Sequence, residues 1–192
     1  MITTETIKTL RDQTGISIMQ CKKALEETNG DMEKALVVLR KKGGEVAAKK
    51  KDRTLGSGAV SAYVHATGAV GAMVVLACET DFVAKNEEFS KLAYEIAMHV
   101  TATNPQFLKA DDIPGSVKET ARSVFVKEVA DKSAALQEKI MEGKLASYFK
   151  ERILLEQPYI KNPDVTIQGL IDAAIQKFGE KIEIARFERF VI

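Results

Sequence analysis

The chain has 192 residues, 45% hydrophobic and 29% charged, with a net charge of +1 at neutral pH. That length supports one substantial core, or a core plus a small module, and the near-neutral balance gives no global attraction to nucleic acid or an anionic membrane. No apolar run reaches the ~18 residues that span a bilayer, the N-terminal stretch lacks the basic flank and apolar centre of a signal peptide, and two widely spaced cysteines, Cys21 and Cys78, are too few for a disulfide framework and fit a reducing compartment.

Residues 3–42 read as three short helices. Ile7 and Leu10 space the first, capped by Thr3 or Thr4. Ser17 and Gln20 form an S-x-x-Q pattern at the start of the second, in which each side chain would satisfy a free backbone N–H of the other. Asn29-Gly30 breaks the chain, and Asp31 is placed to cap a third helix with Met32, Ala35, Leu36 and Leu39 as its buried stripe. Gly43 is placed as a left-handed stop. The next stretch carries Arg40, Lys41, Lys42, Lys49, Lys50, Lys51 and Arg53 against only Glu45 and Asp52. It reads as a solvated linker or as a basic patch for phosphate or an acidic partner, but no aromatic residues interleave to stack bases.

"AVSAYVHATGAVGAMVVLAC" (Ala59 to Cys78) reads as two strands about a turn at Thr67-Gly68. In the first, Val60, Ala62 and Val64 alternate with Ser61, Tyr63 and His65. The second is apolar on both faces and belongs inside a sheet. From Asn86, the spacing of Phe89, Leu92, Ala93, Ile96, Ala97 and Val100 predicts an amphipathic helix that ends at Asn104-Pro105. A second capping pattern, Ser116 with Glu119, precedes two helices at about 116–130 and 133–153, the latter with a possible break at Gly143. "EQPYIKNPD" reads as a loop, "TIQGLIDAAIQKF" as a helix and "KIEIARFERFVI" as a final strand. The apolar phase of that strand slips between Ile184 and Phe187, which marks a bulge or burial on both faces. The expected architecture is α+β: a three-helix domain (1–42), a basic linker (43–55) and a core of a small antiparallel sheet packed with helices (56–192).

Little in the sequence suggests covalent chemistry. There is no phosphate-loop motif, no GxGxxG and no GxSxG, and neither His65 nor His99 has a nucleophile nearby in sequence. No cofactor or metal is expected. One stretch stands out instead. In "CETDFVAKNEEF" (Cys78 to Phe89) an aromatic residue, Phe82, follows a carboxylate, Asp81, between a strand and a helix. Phe82 either folds back beneath the following helix with Asp81 as a cap, or projects outward to meet a partner.

That stretch resembles the most specific signature of the elongation factor Ts family. "LRDQTGISIMQCKKALEETNGDMEKALVVLRKKG" (Leu10 to Gly43) resembles the family's helical head, a fold shared with ubiquitin-associated domains. "KIMEGKLASYFKERILLEQPYIKN" resembles its C-terminal region. Here Ile18, Met19 and Gln20 stand where the family usually carries paired methionines and an acid before the cysteine. The resemblance implies a non-enzymatic, cytoplasmic guanine-nucleotide exchange factor that binds elongation factor Tu, with no direct nucleic-acid or membrane partner. It implies that Asp81 and Phe82, flanked by Thr80 and Val83, enter the partner's nucleotide site. It also implies that Arg11, Ile18, Met19 and, more weakly, Lys50 dock on the partner's nucleotide-binding domain. Another reading of Ile18 and Met19 is that they fill the three-helix core.

The chain has room for one core unit, where longer family members carry two. A three-stranded sheet has two open edges, a liability unless covered or paired, so a homodimer is expected. Three other functions compete: an interaction module that binds ubiquitin-like or nascent-chain partners through the head, an RNA binder using residues 40–53, and an enzyme.

Overall fold

The computed structural model describes residues 2–129 and 134–192. In chain order the elements are α1 (Thr4–Thr14), α2 (Ile18–Glu27), α3 (Met32–Lys49), β1 (Ser57–Val64), β2 (Val70–Cys78), α4 (Asp81–Ala84), α5 (Glu87–Thr103), α6 (Gly115–Val129), α7 (Ala134–Lys150), β3 (Pro158–Tyr159), β4 (Asn162–Thr166), α8 (Ile167–Phe178) and β5 (Ile182–Val191). The fold is α+β, as the sequence predicts.

In the head, Thr3 caps α1 by accepting the N–H of Thr6, whose hydroxyl accepts the N–H of Thr3 in return. Ser17 caps α2 and Asp31 caps α3 by accepting the N–H groups of Gln20 and Lys34. Asn29 and Gly30 turn the chain with φ of 54° and 85°. The expected pairing of Ser17 with Gln20 forms only in one direction. Gln20 turns to the core instead and accepts a hydrogen bond from the Gln176 side chain at 2.9 Å. Leu10, Ile16, Cys21, Ala24, Leu25, Ala35 and Leu39 fill the small head core.

The predicted end of α3 at Gly43 is a correction. The helix runs six residues further, to Lys49, and Gly43 is buried within it. A Cβ there would lie 3.2 Å from the carbonyl oxygen of Asp172, so glycine lets α3 lie close against α8. The first half of the expected linker is therefore helix packed on the core. Arg40 adds a hydrogen bond to the Asp164 carbonyl at 3.2 Å.

In the core, β1, β2 and β5 form an antiparallel sheet with β2 in the centre. Ala72, Val74, Leu76 and Cys78 of β2 pack with Ile182 and Ile184 of β5 against α5 and α8. The register of β2 on β5 shifts between Val75 and Leu76, which pair with Arg186 and Ile184 and leave Ala185 as a bulge. This is where the apolar phase of the last strand slips. In β1 the face differs from the aliphatic alternation. Val60, Ala62 and Val64 lie on the open face, while Ala59, Ser61 and Tyr63 turn toward the helices. Tyr63 meets Tyr94 of α5 edge-on, with ring centroids 5.7 Å apart, and this aromatic contact prevails over burial of two valines.

Helices α6 and α7 pack on each other and on a satellite core of Ile113, Ala121, Phe149 and Ile153. Ser116 lies inside the first turn of α6, so it does not cap it, and Gly143 lies inside an uninterrupted α7. The junction between the two helices, residues 130–133, falls outside the described residues. The stretch expected as a loop after α7 contains the β3–β4 ladder. Among the described residues no helix is long and apolar enough to cross a membrane.

Candidate partner-binding site

The signature stretch lies where β2 leaves the sheet. Thr80 occupies the N-cap position of α4, a single helical turn. Successive residues on such a turn point about 100° apart, so one turn can face both the core and solvent. Val83 is the inward residue and packs into the main core with Phe89. Phe82 is the outward one, 82% exposed. The fold-back reading therefore fails: the space beneath α5 is filled by Val83 and by Phe89, whose ring meets Phe178 edge-on at 6.1 Å. Val83 was expected to flank Phe82 at a partner surface, and its burial makes it an anchor instead.

Polar contacts hold this turn from a distant part of the chain. The Thr80 N–H donates to one oxygen of Glu180 at 3.0 Å, and the Thr80 hydroxyl donates to the other at 2.6 Å. The Glu79 carboxylate accepts the backbone N–H of Lys181 at 2.6 Å and pairs with Arg53 at 3.0 Å. These two donors, the Lys181 N–H foremost, hold the Glu79 carboxyl below its usual range against an opposing effect of burial. Asp81 pairs with Lys85 at 2.6 Å, one turn on, which lowers its pKa. The buried Cys78 thiol donates to the Thr80 carbonyl, and burial raises its pKa, as it does that of Cys21, so both thiols are poorly reactive.

On the head, Ile18 and Met19 form the first turn of α2 and are 57% and 81% exposed. They do not fill the head core. Arg11 is exposed on α1 beside Asp12. Lys50 is engaged within the chain: its ammonium donates to the carbonyl of Gly179, the residue that ends α8, at 2.6 Å. Arg53 and Lys42 pair with Glu79 and Glu27, so two of the seven basic side chains in this stretch are matched by carboxylates within the chain. His99 is fully buried on α5, its Nε2 2.9 Å from the Gln157 side-chain oxygen, and burial lowers its pKa. That is a structural role.

Sequence reasoning missed Glu79, Glu180 and Lys181, and read Arg53 only as a charge of the basic stretch. Glu79 adjoins the signature and could have been suspected. Nothing local marks Glu180, which lies 100 residues from its partner.

These features define an α+β protein with a three-helix head and an aromatic-tipped loop on its core. A family model described as Elongation factor TS matches residues 2–192. The elongation factor Ts of Carboxydothermus hydrogenoformans is 48% identical over 192 residues, covering 99% of this chain and 88% of the relative. That of Thermosipho melanesiensis is 45% identical over 194 residues, covering 100% and 99%. The chain belongs to the elongation factor Ts family and is thereby placed among translation elongation factors.

Proposed function

We propose that this chain is a guanine-nucleotide exchange factor for elongation factor Tu, without enzymatic chemistry of its own or a cofactor, acting in the cytoplasm. The observation that carries the proposal is the exposure of Phe82 on a turn fixed to the core. Burying a phenylalanine releases roughly 1.5–3 kcal/mol. If that burial requires a distorted nucleotide site in the partner, the energy is available to weaken GDP and its magnesium ion. Asp81, paired with Lys85 in the free protein, adds a carboxylate next to the ring that would enter the same metal and phosphate environment. Coupling of this kind is reciprocal, so a rebinding nucleotide expels the factor.

Arg11, Ile18 and Met19 would supply a second contact that adds affinity and leaves the nucleotide site alone. Thr80 and Val83 act from behind the loop, one through Glu180 and one through the core. Lys50 contributes by capping α8. The test is release of fluorescent GDP from elongation factor Tu, with and without the protein. Acceleration is expected, and its absence would overturn the proposal.

The protein would act as a homodimer through the outer face of its sheet. Val60, Val64, Met73 and Phe190 are exposed there. The strand register pairs Ala62 with Met73, Val64 with Gly71 and Gly71 with Phe190, so the apolar residues adjoin across three strands. A second copy would cover this face by a two-fold contact. Light scattering at micromolar concentration should give twice the 21.1 kDa chain mass. A monomer mass would remove the claim.

A further inference from the structure

The sheet ladder between β2 and β5 stops at the pair Cys78 and Ile182. Beyond it the two segments continue to exchange hydrogen bonds, but through side chains. The carboxylate of Glu79 takes the backbone N–H of Lys181, and the carboxylate of Glu180 takes the backbone N–H of Thr80. Each segment thus lends one acid to the other's backbone, and the pairing reaches the first residue of the exposed turn.

The turn needs this. Helix α4 has four residues, far below the length at which a helix holds itself together. Thr80 is a residue type that caps helices, yet its hydroxyl makes no bond to the N–H groups of α4. It donates to Glu180 instead. Glu180 is itself held in place: it follows Gly179, which ends α8 in the left-handed conformation with φ 71° and whose carbonyl is taken by Lys50. Glu180 thus stands just past the end of a helix packed into the core, and the turn bearing Phe82 is tied to its carboxylate.

We propose that Glu180 is a positioning residue for nucleotide exchange: its carboxylate clamps Thr80 and so fixes the direction in which Phe82 is presented. The inference rests on the exchange function proposed above. A ring already aimed loses little freedom on insertion, whereas a ring on a loose loop must be ordered at the moment of binding. The clamp should therefore act on the rate of the inserted complex and leave docking through the head largely unchanged.

Two experiments separate the inference from the exchange function. The chain contains no tryptophan, so Phe82→Trp places a single fluorophore on the turn. Adding Glu180→Ala should lower its time-resolved anisotropy, in the free protein and without any partner. Unchanged anisotropy would overturn the clamp whatever the protein does to a nucleotide.

The second experiment is fluorescent-GDP release over a range of factor concentrations. Glu180→Ala should reduce the maximal rate roughly fivefold, the scale of losing one ordinary hydrogen bond, with the half-saturating concentration within about twofold. Glu180→Gln can still accept the Thr80 N–H and can donate to the Thr80 hydroxyl, so it should recover most of the rate. On a Phe82→Ala background, Glu180→Ala should cost nothing further, because the clamp works through the ring.

A wild-type rate for Glu180→Ala, or an undiminished effect on the Phe82→Ala background, would overturn the positioning role. If Glu180→Ala does not fold, Thr80→Val removes the shorter of the two bonds and carries the same expectations. Failure of the wild-type protein to accelerate release would defeat the exchange function itself, and the positioning role with it.

Discussion

Phe82 on the core and the Ile18–Met19 pair on the head are both apolar and both face solvent, but they are mounted differently. The head pair sits on the first turn of α2, held by the Ser17 cap one residue away and by Cys21, Ala24 and Leu25 on the buried side of the same helix. These restraints are local, and the long-range exception is the bond that the neighbouring Gln20 accepts from Gln176 of α8. Phe82 sits on a four-residue turn that could not persist alone, held by Val83 in the core and by acids and backbone groups from residues 179–181. Its restraints come from the far end of the chain. A locally mounted pair suits a contact that adds affinity. A ring tied to the sheet and to α8 suits one that must push.

The sharpest break in this comparison is Phe82→Ala. The side chain touches little of its own protein, so stability should change by no more than about 0.5 kcal/mol, while the maximal rate of stimulated GDP release should fall tenfold or more, roughly the energy of burying one phenylalanine. A folded variant that exchanges at the wild-type rate would show that the ring does not push. Replacing Ile18 and Met19 together by alanine should do the opposite. The half-saturating concentration should rise roughly tenfold, because two exposed anchors lose most of their contact area, and the maximal rate should hold. If the rate falls and the concentration does not move, the two mounts have the same job and the contrast fails.

Val83→Ala tests the anchor beneath the ring. It removes two methyl groups from a filled core and should cost about 1–2 kcal/mol in urea unfolding. Exchange per folded molecule should change far less than with Phe82→Ala. A loss of exchange as large as that of Phe82→Ala would mean that Val83 is a contact after all.

The same contrast explains what could be read from the sequence. The head was legible almost residue by residue, since caps at Thr3, Ser17 and Asp31 and the break at Asn29-Gly30 depend on neighbours within four positions. Most helices and strands of the core were legible for the same reason, but in sequence the β3–β4 ladder reads as a loop, Ser116 as a cap and Gly143 as a break. Gly43 misled because a glycine late in a helix reads as a stop, and only the presence of α8 beside it makes close packing its purpose. The alternation in β1 did not say which face is buried, and only Tyr94, far along the chain, shows why Tyr63 is the inward residue. Glu180 could not be found at all. It is one more acid after a helix until the fold brings it to Thr80.

Acid should distinguish the two mounts with the smallest effect. Ser17 holds α2 through a hydroxyl, which does not titrate in this range, whereas Glu79 holds its side of the clamp as a carboxylate. The Lys181 N–H and Arg53 both favour the ionised form, so the folded pKa of Glu79 lies below the ordinary carboxyl value of 4.5. A group with a lowered folded pKa contributes stability that is complete above its unfolded value and lost as pH falls through the folded one. The Lys181–Glu79 contact should therefore be intact at neutral pH, begin to weaken below about pH 4.5, and be lost first in the molecules where Glu79 is protonated. The backbone amide shift of Lys181, followed by NMR, should report that titration, while the amide of Gln20, bonded to Ser17, should not follow it. Asp31 and Asp81 are likewise held below the ordinary carboxyl range by their lysine and backbone partners, so the readout must be specific to the residue, and Glu79→Gln should abolish the Lys181 response while leaving the others. A Lys181 midpoint at or above the ordinary carboxyl value would mean that the Glu79 carboxylate gains nothing from its two donors, and that the turn is held by Glu180 and Val83 without it.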